Sequence, residues 1–377
     1  QGIFRANIQF FSEFLREFLF KDLSGDRSAC QAPGCKVMRH MSNDNKKRIC
    51  FVATYTYALF HHDDSGLPVT GLDVQLYNWA TAFARDGEYE VHFVVGDFGQ
   101  EEKEIIDGVT LWKFSRPGRK GIPDGLLSFS ALYNLFKKID ADVYIDRGAS
   151  GPISFEVGIL SKILKKKFIH MIASDSDVSG EYQKKSRLLE SVTHTLALRL
   201  ADGVTFQNSF QGDILEKSGI KSWKIQNSFP VKEVTSSGQN SILWVGSSYS
   251  LKQPEIFLDL ARNFPRESFV IVMQRHDKEI FLNIEQEARS IDNVRFIPGV
   301  PFHKVDEIFC RAKLLINTST YEGFPNTFVQ SAIFSIPIIS LNVNPDNILT
   351  EYDFGIFCNN DKTVLADSLT CLLENDE

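Results

Sequence analysis

The sequence lacks the cysteine patterns that brace small secreted domains or hold structural zinc. It has six cysteines in 377 residues, and none of them forms a CxxC pair. Most lie in or beside apolar runs, which is typical of free thiols in a reducing compartment. Cys30 and Cys35 stand close together, but a structural zinc site needs about four ligands, and the sequence offers no second pair. We therefore predict free thiols and no bound metal.

Long apolar runs and a surplus of positive charge are also missing. No run reaches the ~18 apolar residues that a membrane-spanning helix needs. The formal net charge is −7, whereas a nucleic-acid-binding protein usually carries a basic surplus. The apolar N-terminal stretch is interrupted by charged residues between Glu13 and Lys21, which is unlike a signal peptide. These absences predict a cytoplasmic protein that does not bind nucleic acid.

What the sequence has is a regular alternation of strand and helix patterns. Predicted strands lie at 48–53, 89–96, 142–146, 168–173, 203–207, 242–246, 269–273, 293–296, 314–319 and 336–341. Predicted helices lie at 73–86, 155–164, 184–200, 254–263, 278–289, 305–312, 329–334 and 363–373. This alternation is typical of βαβ units in parallel sheets, so the fold class is α/β.

The alternation of strands and helices is interrupted once. A segment with a different sequence pattern precedes its first strand. A Pro-, Ser- and Gly-containing stretch from Asn227 to Asn240 is typical of a linker. We predict two doubly wound domains, at 47–235 and 236–377. Apolar residues recur at helical spacing between Ile3 and Leu19, so residues 1–46 are predicted to be a leader or an N-terminal arm. An amphipathic helix on a membrane surface is the alternative, although the segment has few basic residues.

The most informative stretch runs from Glu322 to Gln330. It follows a buried strand and leads into a helix, with Pro325 suited to the first helical turn. The unpaired amides at such a helix start attract anions. Gln330 is about two turns along the helix. Both end residues are predicted to reach a cleft at the carboxyl edge of a sheet. The alternative is a polar loop followed by a surface helix.

A second candidate anion-binding element precedes the helix that starts at Pro254. Gly246, Ser247 and Ser248 permit close approach of a ligand to the backbone, and Lys252 supplies a point charge for phosphate. The spacing is neither that of a Walker A loop nor that of GxGxxG. The alternative is a solvated lysine near a helix start.

Together these motifs resemble the family-4 retaining glycosyltransferases of GT-B fold (glycosyl transferases group 1). The resemblance covers roughly residues 47–377 and is more specific in the C-terminal half. It implies two Rossmann-like domains that face each other across a cleft. It also implies transfer of a hexose from a nucleotide-sugar to an acceptor hydroxyl, with retention of anomeric configuration. The acceptor would be a saccharide or glycolipid in polysaccharide or glycoconjugate synthesis, and the enzyme a cytoplasmic protein with peripheral contact to the inner face of a membrane.

The resemblance also implies roles for individual residues. Glu322 would contact the donor hexose, Gln330 would bind the nucleotide ribose, and Lys252 would neutralise the diphosphate leaving group. Asp175 or Asp177 would orient the acceptor hydroxyl, with helix capping and turn formation as the alternative. No metal and no cofactor is implied. The other implied donor-binding residues are Gly71, Gly246, Ser247, Arg275, Ile297, Pro298, Gly323, Phe324, Pro325, Asn326 and Thr327.

The chain departs from the family pattern at several positions, among them Thr70, since many members have two glycines where this chain has Thr70-Gly71. Gln330 stands where the family has an acid, although an amide can still bond a hydroxyl. Ser247 lies where the family often has an arginine, for which Arg275 is a candidate substitute. The acceptor-side strand end has Ala173 and no histidine, and His170 is predicted to be a core residue. These departures leave a non-catalytic GT-B protein that binds a nucleotide-sugar or a partner as the alternative.

Overall fold

The computed structural model describes residues 2–20, 46–61, 69–114, 124–148, 151–230 and 240–374. Its strands form two sheets, one of eight strands and one of six. Helices cover both sheets, so the central strands are buried on both faces and have near-continuous apolar sequences. The predicted α/β class with two parallel, doubly wound sheets is confirmed.

The first sheet has the strand order β3-β4-β2-β1-β5-β6-β7-β8. Its strands are β1 (Lys47–Val52), β2 (Tyr89–Gly96), β3 (Lys103–Ile106), β4 (Val109–Phe114), β5 (Val143–Arg147), β6 (Lys167–Met171), β7 (Gly203–Phe206) and β8 (Ser222–Lys224). Neighbouring strands are parallel except for β3, which pairs antiparallel with β4 at the edge. The parallel strands therefore end at one common edge.

Nine helices accompany this sheet in the described part of the chain. They are α1 (Gly2–Phe20), α2 (Tyr57–Phe60), α3 (Gly71–Asp86), α4 (Asp124–Ile139), α5 (Pro152–Ile163), α6 (Ser176–Ser179), α7 (Glu181–Lys185), α8 (Leu188–Leu200) and α9 (Ser209–Lys217). Thr70 fixes the start of α3, because its side chain accepts from the Asp73 amide while the Asp73 carboxylate accepts from the Thr70 amide at 2.9 Å. This reciprocal capping satisfies two amides that a helix start otherwise leaves unpaired.

The second sheet has the order β11-β10-β9-β12-β13-β14, and its paired strands are parallel. The strands are β9 (Ser241–Ser247), β10 (Ser268–Gln274), β11 (Val294–Ile297), β12 (Ala312–Asn317), β13 (Ile338–Ser340) and β14 (Gly355–Phe357). The helices are α10 (Pro254–Asn263), α11 (Lys278–Arg289), α12 (Val305–Phe309), α13 (Asn326–Ile333), α14 (Ile348–Glu351) and α15 (Lys362–Glu374). The carboxyl ends of β9 and β12 lead into the two loops that the sequence singled out.

Several predicted elements need correction. The predicted helix 184–200 is interrupted between α7 and α8, because Ser186 and Arg187 are extended. The predicted helix 305–312 stops at Phe309, since Ala312 already pairs in β12. The predictions missed the strands β3, β4, β8 and β14 and the helices α2, α4, α6, α9 and α14. The missed strands are short or lie near a sheet edge. A strand in such a position is less buried, so its sequence needs fewer apolar residues and gives a weaker signal.

Helix α1 packs into the hydrophobic core of the first domain. The buried Phe11 ring lies 4.8 Å from the Trp79 ring and 5.3 Å from the Phe83 ring, centroid to centroid. Phe14 contacts Trp223 in the same way at 4.7 Å. The described part of the predicted arm therefore contributes core side chains.

Some predictions lie beyond what the structure describes. Residues 21–45, with Cys30 and Cys35, and the predicted boundary at 235 fall outside the described residues, so the domain limits stay predictions. The four described cysteines form no disulfide bond with one another, and Cys50 and Cys358 are buried. None of the described helices is both long and apolar enough to cross a membrane.

Replacing Phe11 by alanine tests whether α1 is an integral part of the fold. The loss of a buried ring and its stacking partners should lower the free energy of unfolding by about 3–5 kcal/mol. Phe10 is the matched control, because it neighbours Phe11 in the same helix but is 48% exposed. Phe10→Ala should change stability by no more than about 0.5 kcal/mol. Urea denaturation of both variants measures the difference, and equal effects would contradict the packing described.

Candidate functional site

A cavity of about 780 Å³ lies between the two domains. This volume is within the roughly 300–1,000 Å³ typical of small-molecule sites. Gly71, Arg147 and Asn227 line it from the first domain, and the carboxyl ends of β9 and β12 contribute the opposite wall. Open α/β sheets bind ligands at this edge, where helix starts and strand-end loops converge. The cavity is therefore the candidate site.

Most of the predicted site residues are brought together there. Those that line the cavity are Gly71, Gly246, Ser247, Lys252, Arg275, Pro298, Glu322, Phe324, Asn326, Thr327 and Gln330. Ile297, Gly323, Pro325 and Asp175 lie outside the lining that the described residues form. The roles of all these residues toward a ligand stay predictions.

Glu322 and Lys252 form an ion pair in the cavity wall. The Glu322 Oε1 atom lies 2.9 Å from Lys252 Nζ, and the two side chains are only 17% and 20% exposed. The same oxygen accepts hydrogen bonds from Ser319 Oγ at 2.7 Å and from Asn317 Nδ2 at 3.0 Å. Three donors thus hold one carboxylate oxygen in place.

Backbone contacts bring the two loops together. The Thr318 hydroxyl donates to the Lys252 carbonyl at 2.6 Å and accepts from Trp244 Nε1 at 2.9 Å. The Thr320 amide donates to the Leu251 carbonyl at 2.8 Å. Because these bonds join the loop after β12 to the turn before α10, the geometry of the ion pair is set by the sheet itself.

The charged form of Glu322 is the stable one. Burial alone would raise the pKa of this carboxyl, but the Lys252 charge and the hydrogen bonds from Ser319, Lys252 and Asn317 together lower its pKa below the usual value. Glu322 is therefore an anion at neutral pH, and Lys252 is its counter-ion.

The start of α13 differs from the prediction. Pro325 is extended and precedes the helix, which begins at Asn326. Gln330 is consequently about one turn along the helix instead of two, and it is buried in the cavity wall. Arg275 lies at the cavity with its guanidinium 5.8 Å from the centre of the Phe281 ring, which is a cation–π distance.

The loop before α13 is also fastened to the first domain. Asn208 Nδ2 donates to the Gly323 carbonyl at 2.8 Å, and Asn227 Nδ2 donates to the Phe324 carbonyl at 2.6 Å. A Cβ atom at Gly323 would lie 2.8 Å from the Ala173 carbonyl oxygen. Only glycine permits this approach, so the Gly323 position contributes to the site through its backbone.

A further bridge joins α3 to the start of α13. Asn326 Nδ2 donates to the Gly71 carbonyl at 2.8 Å, and Asn326 Oδ1 accepts from Gln75 Nε2 at 2.9 Å. A Cβ atom at Gly71 would lie 2.8 Å from Asn326 Nδ2. Two of the predicted donor-binding residues therefore also hold the domains in contact.

Asp175 lies behind this loop. Its Oδ1 atom accepts from Asn208 Nδ2 at 2.9 Å and from Gln211 Nε2 at 2.8 Å. Burial raises the pKa of Asp175 to about 6, against the lowering effect of those two hydrogen bonds. Because Asn208 also holds Gly323, Asp175 positions the loop, and its predicted contact with an acceptor stays a prediction.

The sequence reasoning missed Arg147 and Asn227 as site residues. Arg147 ends β5 at the cavity, and its Nη2 donates to Asn227 Oδ1 at 2.7 Å. Burial lowers the pKa of Arg147 to about 10, so it remains a cation at neutral pH. The sequence signal that could have identified Arg147 is a charged residue at the end of a buried strand. His170, predicted to be a core residue, is fully buried and bonds Asp146 through Nδ1 at 2.7 Å.

Among the described residues, no cluster of three or more His, Cys, Asp or Glu side chains is arranged to hold a metal ion. The predicted independence of a metal stays a prediction.

Several solved structures align with nearly the whole chain. Sucrose-phosphate synthase from Thermosynechococcus elongatus has a TM-score of 0.70 and 15% identity, over 88% of this chain and 90% of that one. HepE from Anabaena, solved in complex with UDP, has a TM-score of 0.63 and 14% identity, over 88% and 91%. A glycosyltransferase from Rickettsia africae has a TM-score of 0.62 and 12% identity, over 88% and 89%. The chain has the GT-B fold.

Sequence comparison adds to this result for the second domain. The model of the family described as glycosyl transferases group 1 matches residues 239–375. No curated protein matches the sequence. The second GT-B domain, with Lys252 and Glu322, is therefore the part of the chain that is similar in sequence to the glycosyl transferases group 1 family.

Replacing Lys252 by methionine tests the ion pair. The partly buried Glu322 carboxylate would lose its counter-ion, so Lys252→Met should lower the free energy of unfolding at pH 7 by about 1–3 kcal/mol. Since the pKa of Glu322 is lowered in the folded protein, the pair stabilises above the carboxyl's ordinary pKa. The loss of stability caused by Lys252→Met should therefore become smaller as the pH falls through the pKa of Glu322 in the folded protein.

Lys217 provides the control, because it is an exposed lysine in the last turn of α9. Lys217→Met should leave stability within about 0.5 kcal/mol of the wild type. Denaturant titrations at several pH values measure both variants. A deficit for Lys252→Met that is independent of pH would contradict the assigned ion pair.

Proposed function

We propose that the protein is a retaining glycosyltransferase that moves a hexose from a nucleotide-sugar to an acceptor hydroxyl. The observation that carries the proposal is the partly buried Lys252–Glu322 pair, 2.9 Å apart, at the interdomain cavity and just before the start of α13. The glycosyl transferases group 1 match of residues 239–375 supports it. The UDP in the HepE structure favours a uridine diphosphate donor.

Lys252 and the start of α13 provide the positive charge for the donor diphosphate. The first amides of a helix are unpaired and carry the positive end of its dipole. Lys252 adds a full charge that stabilises the negative charge developing on the leaving group. In this proposal the helix end and the lysine supply the positive charge that a metal ion supplies in other transferases.

Glu322 and Gln330 position the donor. Glu322, held as an anion by three donors, contacts the hexose beside the anomeric carbon. Gln330 in the cavity wall hydrogen-bonds the ribose, since an amide can donate to or accept from a hydroxyl. Arg275, over the Phe281 ring at the cavity, is the candidate second cation.

Retention follows if the acceptor attacks on the face from which the diphosphate leaves. The bond between the anomeric carbon and the diphosphate oxygen breaks, and a bond from that carbon to the acceptor oxygen forms. The acceptor proton passes to the departing diphosphate oxygen, so atoms and charge balance. The acceptor, a saccharide or glycolipid, enters beside Arg147 and Asn227, which line the cavity from the first domain.

Substituting the paired residues tests the proposal. Glu322→Gln and Lys252→Met should each lower kcat by roughly 10²–10³-fold, which is typical for loss of one preorganised charge or donor. Lys217→Met is the matched control and should keep wild-type activity. Release of nucleoside diphosphate from a panel of nucleotide-sugars, with and without saccharide acceptors, measures the activity.

The same assay distinguishes the alternative, a non-catalytic GT-B protein that binds a nucleotide-sugar or a partner. Ser247 and Gln330, which replace a cation and an acid of the family pattern, favour that alternative. If UDP raises the melting temperature while no nucleotide-sugar is turned over, the protein binds its ligand without catalysis. Full activity of Glu322→Gln would refute the catalytic role of this residue.

The pH dependence tests whether Asp175 orients the acceptor. With a pKa of about 6, its carboxylate is charged above that pH and neutral below it. If the anion orients the acceptor hydroxyl, kcat should fall as the pH drops through about 6. Asp175→Asn should remove this acidic limb and lower kcat at pH 8. If the pH profile of kcat is unchanged in Asp175→Asn, the role of Asp175 is limited to positioning Asn208 and the loop that contains Gly323.

A further inference from the structure

Arg147 is a buried cation whose hydrogen-bonding capacity is largely unused. Its side chain lines the cavity from the end of β5, and the residue is only 5% exposed. A guanidinium has five N–H groups, and burying its charge is costly unless acceptors or an anion compensate it. Nη2 donates to Asn227 Oδ1, whereas Nε is buried without any acceptor among the described residues. Within the same part of the chain, no carboxylate forms an ion pair with Arg147.

The acidic residues near Arg147 are held by other partners. Asp146 pairs with His170, whose Nδ1 lies 2.7 Å from Asp146 Oδ1, and both side chains are at most 1% exposed. Asp177 Oδ2 accepts from two backbone amides in the loop after β6, at 2.9 and 3.1 Å. The charge of Asp177 raises the pKa of Arg147, but the effect of burial is larger and lowers it. These carboxylates therefore act on Arg147 only through space and give it no hydrogen-bond acceptor.

Neutral amides hold the guanidinium in place. Asn227, which accepts from Arg147 Nη2, is itself fixed, because its Nδ2 donates to the Phe324 carbonyl at 2.6 Å. The Gln207 amide, oriented so that its nitrogen donates to the Ala173 carbonyl, places its oxygen 2.7 Å from the same Nη2. These contacts orient the guanidinium without a negative charge. An arginine held in this way is preorganised for a phosphate or a carboxylate, whose oxygens match its planar fork.

The cavity has two buried cationic positions that differ in their partners. Lys252, in the wall formed by the second domain, already has Glu322 as its counter-ion. Arg147, in the wall formed by the first domain, has none in the described part of the protein. Arg275 also lines the cavity, but it is exposed, so water solvates its charge. An anionic ligand group would therefore gain most at Arg147, where it displaces no existing ion pair.

We propose that Arg147 binds an anionic group of the acceptor, which is therefore an acidic saccharide that bears a phosphate or a carboxylate. The guanidinium lies in the wall opposite the Lys252–Glu322 pair, which the proposed function gives to the donor. A neutral saccharide would leave the buried donors of Arg147 unpaired, so the site should discriminate against it. The assignment of the anion to the acceptor rests on the proposed function, whereas binding of an oxyanion at Arg147 does not.

Inorganic phosphate is the smallest probe of the Arg147 position. Isothermal titration calorimetry of the full chain at low salt, with chloride at equal ionic strength as the blank, should detect phosphate binding to the wild type. Arg147→Met should lower the phosphate affinity by at least about 30-fold, as expected when a buried charged group loses its charged partner. Lys252→Met should retain the binding that depends on Arg147. Arg147→Lys, which keeps the charge but loses the planar fork, should retain part of the affinity.

Arg199→Met is the matched control, because it makes the same substitution at an exposed arginine in the last turn of α8. It should bind phosphate like the wild type. Melting temperatures without phosphate check that every variant is folded, and Arg147→Lys keeps the test valid if Arg147→Met is not. Equal phosphate affinity of the wild type and the folded Arg147 variants would overturn the proposal. No binding to the wild type, or binding that Lys252→Met alone abolishes, would overturn it as well.

Acceptor preference tests the assignment to the acceptor. In the assay of nucleoside diphosphate release, glucose 6-phosphate or glucuronate should have a lower KM than neutral glucose, and comparing the two distinguishes phosphate from carboxylate. Arg147→Met should raise the KM for the acidic sugar by at least about 30-fold and change the KM for the nucleotide-sugar by no more than about threefold. A preference for glucose, or an effect confined to the nucleotide-sugar, would overturn the assignment. If no sugar is transferred while phosphate binding depends on Arg147, the proposed function fails and the oxyanion site stands.

Discussion

The site depends on the fixed position of one carboxylate. Glu322 Oε1 accepts from Lys252, Ser319 and Asn317, and these donors overcome the cost of burying its charge. A buried carboxylate without such partners would take up a proton and become neutral. The ion pair therefore keeps an anion and a cation in the same wall of the cavity. A bound diphosphate would compete with Glu322 for Lys252, so donor binding and the state of Glu322 are physically linked.

The second constraint is the polar contact between the domains. Asn208 and Asn227 of the first domain donate to the carbonyls of Gly323 and Phe324, which precede α13. These bonds hold the loop before α13 against the first domain. They are amide contacts between neutral groups, individually worth only about 0.5–1.5 kcal/mol. The Lys224–Asp346 ion pair and the packing of Phe324 in the core of the first domain add to them, so the two domains share a mixed polar and apolar interface.

Much of this architecture could be predicted from local pattern. The apolar runs of β2 and the helical periodicity of α10 and α11 gave correct types and nearly correct limits, since buried strands and amphipathic helices leave strong signals. The break between α7 and α8 was missed, because Ser186 and Arg187 carry no strong breaker. Arg147 was overlooked as a site residue because its one local signal, a charged residue at the end of a buried strand, is shared with strand-end arginines that are solvated. Asp175 was assigned to the acceptor; its Oδ1 atom accepts from Asn208 and Gln211, and its contact with an acceptor stays a prediction.

The sequence by itself determined the fold class, the two sheets and the loops that carry Lys252 and Glu322, because these follow from hydrophobic periodicity and from helix-start chemistry close in the chain. Only the tertiary structure decided that Lys252 and Glu322 meet at 2.9 Å and that Arg147 joins the same cavity. These facts depend on which strand ends lie side by side. This arrangement is not encoded in the spacing of neighbouring residues, since it arises from contacts between segments far apart in the chain.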